Sequence, residues 1–390
     1  MTKNVRDLWS LQRFRTTSFH RRAHACARLS AMPPAAQPRT LTFEELTVWR
    51  TELPDVEFAV PPPGNTRPNP LIVDDKLLVS IFSPGAICAL DRATGRLTWR
   101  TELGKFSGAS VYFYDRKLFA HSPHTLYSLH PDSGEIRWSF CPYGTDGEWI
   151  YSSPAIDQGN LYIGDRKGFL HCLDSNTGET IWSKLTNSDE NDDVNSTPLV
   201  VNGLVIVPTN AKIVVAYEAV TGKDAWEQKV DGPSICGPLL HKALVVVLAI
   251  ESLYLLDPTS GEVRQHFQWE GNNIAFAEST GRDVVVALRG AWPPKDNSEI
   301  AFLNESGIHR TAILAGHCAC FRYSAEIGLL YASHLQGVDL LSPDTGEILC
   351  KLTTAGRDGD TALVDVREDR IYALTGDGSV HALHHPDGPF

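Results

Sequence analysis

One motif recurs eight times along this chain, and the period decides what it can fold into. The copies read ALDRATGRLTW, SLHPDSGEIRW, CLDSNTGETIW, AYEAVTGKDAW, LLDPTSGEVRQ, AFLNESGIHRT, LLSPDTGEILC and ALHHPDGPF. Their glycines fall at Gly95, Gly134, Gly178, Gly222, Gly261, Gly307, Gly346 and Gly388, so each unit holds roughly 42 residues, a length typical of stacked supersecondary units. Within the third unit, YSSPAID, NLYIGD, GFLHCLD and ETIWSK alternate apolar and polar residues between turn residues, the pattern of four short strands. The repeated glycine sits late in a tight turn that needs a positive φ. Asp91, Asp174 and Asp257, four residues earlier, are placed to accept that turn's backbone N–H groups. Trp99, Trp138, Trp182 and Trp226 follow their glycines by four residues and open the outermost strand, where an indole can pack between units.

Radially repeated four-stranded units define the fold class: an all-β, eight-bladed β-propeller of four-stranded antiparallel blades. The final unit offers only three strands before Phe390, while LTVWRTEL near the N-terminus echoes LTWRTEL of the first unit. Trp49 should therefore serve the last blade as Trp99 serves the first, the N-terminal strand closing the ring and removing its open edges. The expected division is a basic, Pro-containing segment over 1–40 and the propeller over 41–390. Loss of 41–53 should open the ring.

Ala89-x-Asp91-x-x-Thr94-Gly95-x-x-x-Trp99 resembles the docking-motif repeat of pyrroloquinoline-quinone-type (quinoprotein-like) β-propellers. Unit number and strand-swapped closure are most similar to the scaffold lipoproteins of the outer-membrane β-barrel assembly machinery. That resemblance implies a scaffold. The quinone-dependent dehydrogenases of the same superfamily imply a cofactor site with adjacent half-cystines and calcium, and this chain has no Cys-Cys pair.

Charge narrows the partners. Net charge is −12, yet residues 1–31 hold seven basic residues against Asp7 alone, so the body is more acidic still. Such a surface repels phosphate backbones and anionic lipid, which excludes nucleic acid and favours a protein or peptide partner, basic in character. The longest apolar run, Ala243 to Ile250, is far short of a membrane span, so no membrane insertion is expected. Eight scattered cysteines without a CxxC pair read as free thiols of a reducing compartment. With no signal peptide, lipobox or transmembrane helix recognised, the expected localisation is cytoplasmic, as a monomer.

The irregular rim, made of inter-blade connections and of links between second and third strands, is where function is expected. It brings together acids and aromatics: Glu148, Trp149, Asp192, Asp193, Trp269, Trp292 and Arg357. Residues 187–195 lack the alternating carboxylates of a calcium loop. His317, Cys318 and Cys320 cannot chelate one zinc on a regular strand. No metal and no cofactor is therefore expected. The leading function is a non-enzymatic binding module presenting rim loops to a protein or peptide. The alternative is an enzyme, lyase- or cyclase-like, using Asp192, Glu148 or Arg357 in the central funnel, or a quinone-dependent dehydrogenase.

Overall fold

The computed structural model describes residues 37–53, 56–58, 70–104, 111–144, 150, 152–186, 193–234, 236–269, 272–290, 297–304, 306–315, 318–334, 336–354, 363–367 and 370–386. They form eight sheets, each running outward from a short strand at the ring centre. The first blade is Leu71–Val73, Lys76–Ser83, Ala86–Asp91 and Leu97–Glu102, with Glu57–Phe58 added beside its second strand. The others follow in order, ending with Leu363–Arg367, Arg370–Thr375 and Ser379–His384 in the eighth. Middle strands are buried on both faces, as in Leu77, Leu78 and Val79 or Val245, Val246 and Val247, because each blade is sandwiched between two others. Outer strands alternate exposed and buried, as in Leu97–Glu102.

The ring is closed as the echo predicts. Thr47–Glu52 is the outer strand of the eighth blade, pairing antiparallel with Ser379–His384 and setting Trp49 opposite Ala382. A feature the sequence did not suggest precedes it. Arg39–Thr42 adds in parallel to Ile348–Thr353 of the seventh blade. One helical turn, Phe43–Leu46, joins the two strands. Its Thr42 and Glu45 form a reciprocal capping box, and Phe43 and Leu46 are buried against Leu340, Leu352, Ile371 and Leu383. The N-terminal segment thus straps the seventh blade to the eighth.

Each blade carries a one-residue bulge between its third and fourth strands, immediately before the tryptophan position. A bulge adds local twist and re-aims the next side chain. Here it turns the indole onto the neighbouring blade. Opposite the indole stands a small residue: Ala89 for Trp99, Ser128 for Trp138, Cys172 for Trp182, Ala216 for Trp226, Ala382 for Trp49.

At five seams the indole lies over the next blade's glycine and donates Nε1–H to the carbonyl three residues before it. Trp49 reaches Arg92 (3.1 Å), Trp99 Pro131 (3.1 Å), Trp138 Ser175 (3.3 Å), Trp182 Ala219 (3.1 Å) and Trp226 Pro258 (3.0 Å). The expected turn bonds are present. Asp91 Oδ1 accepts from the Thr94 backbone (2.8 Å), Asp174 from Asn176 (2.7 Å) and Asp257 from Thr259 (2.9 Å).

Three seams lack tryptophan and differ from one another. Between the sixth and seventh blades, Arg310 Nη2 donates to the Pro343 carbonyl (2.9 Å), taking the place of an indole N–H, and pairs with buried Asp283 at 2.7 Å. Between the seventh and eighth, where Cys350 holds the tryptophan position, the strap crosses instead. Between the fifth and sixth, Gln265 pairs with Leu255, and a cavity lies beside them.

Candidate interaction surface

The loop rim over the second to fifth blades is built around one buried carboxylate. Asp165, in the link that follows Asn160–Gly164, is fully buried. Its Oδ1 accepts the backbone N–H groups of Lys167 (2.9 Å) and Phe169 (3.0 Å), and its Oδ2 accepts from Tyr143 Oη (2.8 Å) and His171 Nε2 (2.8 Å). A buried carboxylate with four donors fixes the loop that holds it. Burial, followed by the bond to Asp165, pushes the Tyr143 phenol above its ordinary range.

From Asp165 the bonding runs along the rim. Val194 N–H donates to the Asp165 carbonyl (2.9 Å), Asn210 N–H to the Asp193 carbonyl (3.2 Å), and Ser234 N–H to the Thr209 carbonyl (3.3 Å). Connections between the second and third, third and fourth, and fourth and fifth blades are thereby tied together. The outward face carries charge: Arg166 Nε meets Asp193 Oδ2 at 3.3 Å, and Lys167 Nζ lies 4.1 Å from the centre of the Tyr143 ring.

Of the expected rim residues, Asp193 belongs to this network. Trp269 is only 9% exposed and packs with Cys236, Val246, Leu253 and Ala277 in the core shared by the fifth and sixth blades, so it is not presented at the rim. Glu148, Trp149, Asp192, Trp292 and Arg357 lie outside the described residues. The Asp165–His171–Tyr143 constellation escaped the sequence reading because its members sit in three separate segments. The one local signal is the Asp165 and His171 pair, six residues apart in GDRKGFLH.

The ring centre holds a second arrangement. A cavity of about 390 Å³ is lined by Leu71 and Tyr112 from one side of the ring, by Leu239 and Glu278 from the other, and by Arg322. Burial pushes the Glu278 carboxyl up to about 7, with Arg322 pulling the other way. Asp365 lies 3.9 Å from Arg322 Nε; burial raises its carboxyl too, although it accepts from the Ile72 and Val366 backbones. Among the described residues no group of three His, Cys, Asp or Glu could hold a metal ion. Cys318 and Cys320 flank a strand bulge, and His317 lies outside the described residues. With this donor set, and with no Cys-Cys pair in the chain, the described residues do not fit a calcium-bound quinone.

Eight blades, five of their seams latched by a tryptophan on a glycine, define a quinoprotein-type β-propeller. The family model for outer membrane protein assembly factor BamB matches residues 45–141 and 122–307, more than half of the chain, and the chain belongs to that family. The chain is 27% identical to the BamB of Legionella pneumophila (strain Paris) over 28% of its own length and 40% of the relative's. It is 26% identical to the BamB of Escherichia coli (strain K12) over 27% and 26%. The chain thus spans less than half the length of these curated relatives. BamB from Moraxella catarrhalis superposes with a TM-score of 0.53 at 17% identity, covering 87% of this chain and 99% of that one. The quinohemoprotein alcohol dehydrogenase ADHIIG from Pseudomonas putida HK5 reaches 0.66 at 11% identity, covering 88% and 76%. Both superpositions speak to the fold alone.

Family membership overturns the cytoplasmic expectation, since the relatives are assembly factors for outer membrane proteins. That expectation rested on what the N-terminal residues lack, and a missing pattern carries no information about compartment. Free thiols do not argue for it either. Cys88, Cys172, Cys236 and Cys350 are buried and carry no disulfide, so the fold shields them in any compartment.

Proposed function

We propose that this chain is a non-catalytic scaffold that holds a protein partner against the loop rim of its second to fifth blades. Its family supports a protein partner, because the relatives are named for assembly. The observation that carries the choice of rim is the bonding from Tyr143 through Asp165 and Asp193 to Ser234, which pre-organises four loops and lowers the ordering cost of association. The partner segment is basic, matching the acidic body, and the scaffold acts as a monomer. Among the described residues no helix is long and apolar enough to cross a membrane, and the role requires none.

The test is quantitative recovery of proteins with tagged full-length chain, wild type against Asp193→Lys. Rim partners should fall at least about tenfold, the scale of one lost charged contact. An unchanged recovery profile with an unchanged melting temperature refutes the rim.

A catalytic reading has one observation in its favour: Glu278, its carboxyl pushed up to about 7 by burial, lines the central cavity. An absorbance spectrum of purified protein without a quinone band removes the dehydrogenase form of that reading.

A further inference from the structure

We propose that the seam between the fifth and sixth blades is a docking site for an aromatic side chain, an indole above all, carried by a protein partner. The idea takes from the scaffold reading only that such a partner exists. The site itself rests on the seam.

Five seams are filled by the chain's own tryptophan, the next by Arg310 and the last by the N-terminal strap. At the fifth seam the register is the same: Gln265 pairs with Leu255 as Trp99 pairs with Ala89, behind the same bulge. The side chain at that position is simply too small. What remains is a cavity of about 390 Å³ walled by Leu244, Leu253, Leu255, Phe267, Val284 and Leu303. That is the size of a small-molecule pocket, with the apolar lining such pockets have.

The other seams show what the space accepts. In the five tryptophan seams, a flat ring lies between the fourth strand of one blade and the glycine turn of the next, its N–H turned to the residue three before that glycine. Asn304 lines the cavity and stands three residues before Gly307. Phe267 comes closest to Gly307, with 3.8 Å to a Cβ built there, against 2.5 Å for Trp226 over Gly261. The turn is thus touched by one atom of the Phe267 ring and is not overlaid as Trp226 overlays Gly261. An incoming indole would meet a mostly apolar lining, the environment in which aromatic anchors dominate interfaces. At the mouth, Lys242 and Arg264 form the polar border of the cavity, Arg264 being held by Asp257 (3.1 Å) and Glu262 (2.9 Å). Lys242 belongs to the turn between first and second strands, on the rim opposite the Asp165 loops. The molecule would therefore have two separate contact surfaces.

The test uses the full chain and N-acetyl-tryptophanamide as the probe, with a photoreactive tryptophan analogue to map contact. Wild type should bind the probe saturably, with adducts confined to 241–244, 253–267 and 303–304. The pair Leu255→Ala with Gln265→Trp supplies an internal indole opposite a small residue; it should weaken probe binding at least about tenfold and raise the melting temperature. Leu244→Glu, which charges the wall without refilling it, should weaken binding as well and serves if the pair does not fold. No saturable binding by wild type, adducts elsewhere, or unchanged affinity in both variants overturns the proposal. None of these results touches the Asp193 experiment, so the two readings fail separately.

Discussion

Trp49 lies flat over Gly95, so close that a Cβ on residue 95 would stand 2.5 Å from its Cε3. These two residues join the first blade to the last, and each makes the other necessary. Gly95 also has φ of +74°, where a side chain is strained whatever the space. Gly95→Ala should cost about 2–4 kcal/mol, summing backbone strain and displacement of the ring. Trp49→Ala should cost about 3–5 kcal/mol. The double variant should lose less than the sum, because the collision disappears with the ring. Urea midpoints of the three variants check this, and strict additivity counts against the contact.

Removing 37–53 takes away the strap as well as the closing strand. It exposes Leu340, Leu352 and Leu383 of the seventh and eighth blades together with the unpaired edge of Ser379–His384. The truncated chain should melt at lower temperature, less cooperatively, and with increased binding of a hydrophobic dye. A single sharp transition at the wild-type temperature would contradict ring closure.

Arg310 replaces an indole with a charge, and the replacement depends on Asp283, which is 1% exposed. Arg310→Met leaves that carboxylate buried beside His309 alone, at 3.2 Å. The expected cost is about 3–5 kcal/mol, the range for breaking a buried pair. Adding Asp283→Asn to Arg310→Met should recover a large part of it, which denaturation curves at pH 7 will show.

Half-buried Glu278 and buried His121 give stability opposite slopes with pH. Glu278 has its folded pKa raised from 4.5 to about 7, so the folded state binds its proton more tightly, and stability falls as pH rises from 4.5 through 7. Glu278→Gln should match wild type below that window and exceed it above, by about 1–3 kcal/mol. His121 has its folded pKa lowered from 6.5 to about 4 by burial, so the unfolded state takes the proton first and stability rises from pH 4 to 6.5. His121→Gln should flatten that rise. Wild type alone will show a muted profile, and only the variants separate the two.

Burial raises the Cys88 thiol to about 11 and the Cys172 thiol to about 12. Alkylation of native protein at pH 8, read site by site by mass spectrometry, should spare both, and also buried Cys236 and Cys350, until denaturant is added. Cys141, half-buried, should react first among the described thiols. Early labelling of Cys88 would show that the first blade opens locally.

The blades were legible because one physical requirement, an indole on a glycine turn, repeats at fixed spacing. So were closure by Thr47–Glu52 and the roles of Asp91, Asp174 and Asp257. Arg39–Thr42 was not, since RTLT beside prolines has no period and pairs only with a strand three hundred residues away. Arg310 was hidden because the repeat places Thr311 in the tryptophan position. Glu278, Arg322 and Asp365 meet only after the circle closes, and Trp269 reads as a loop aromatic until its packing is seen.

The strap also sets an order of events in the cell. The final seam needs partners from both extremities, so a growing chain stays an open arc until the segment around His384 has left the ribosome. Up to that moment the strands of the seventh and eighth blades have bare flanks. Docking of Arg39–Glu52, synthesised first, then covers those flanks.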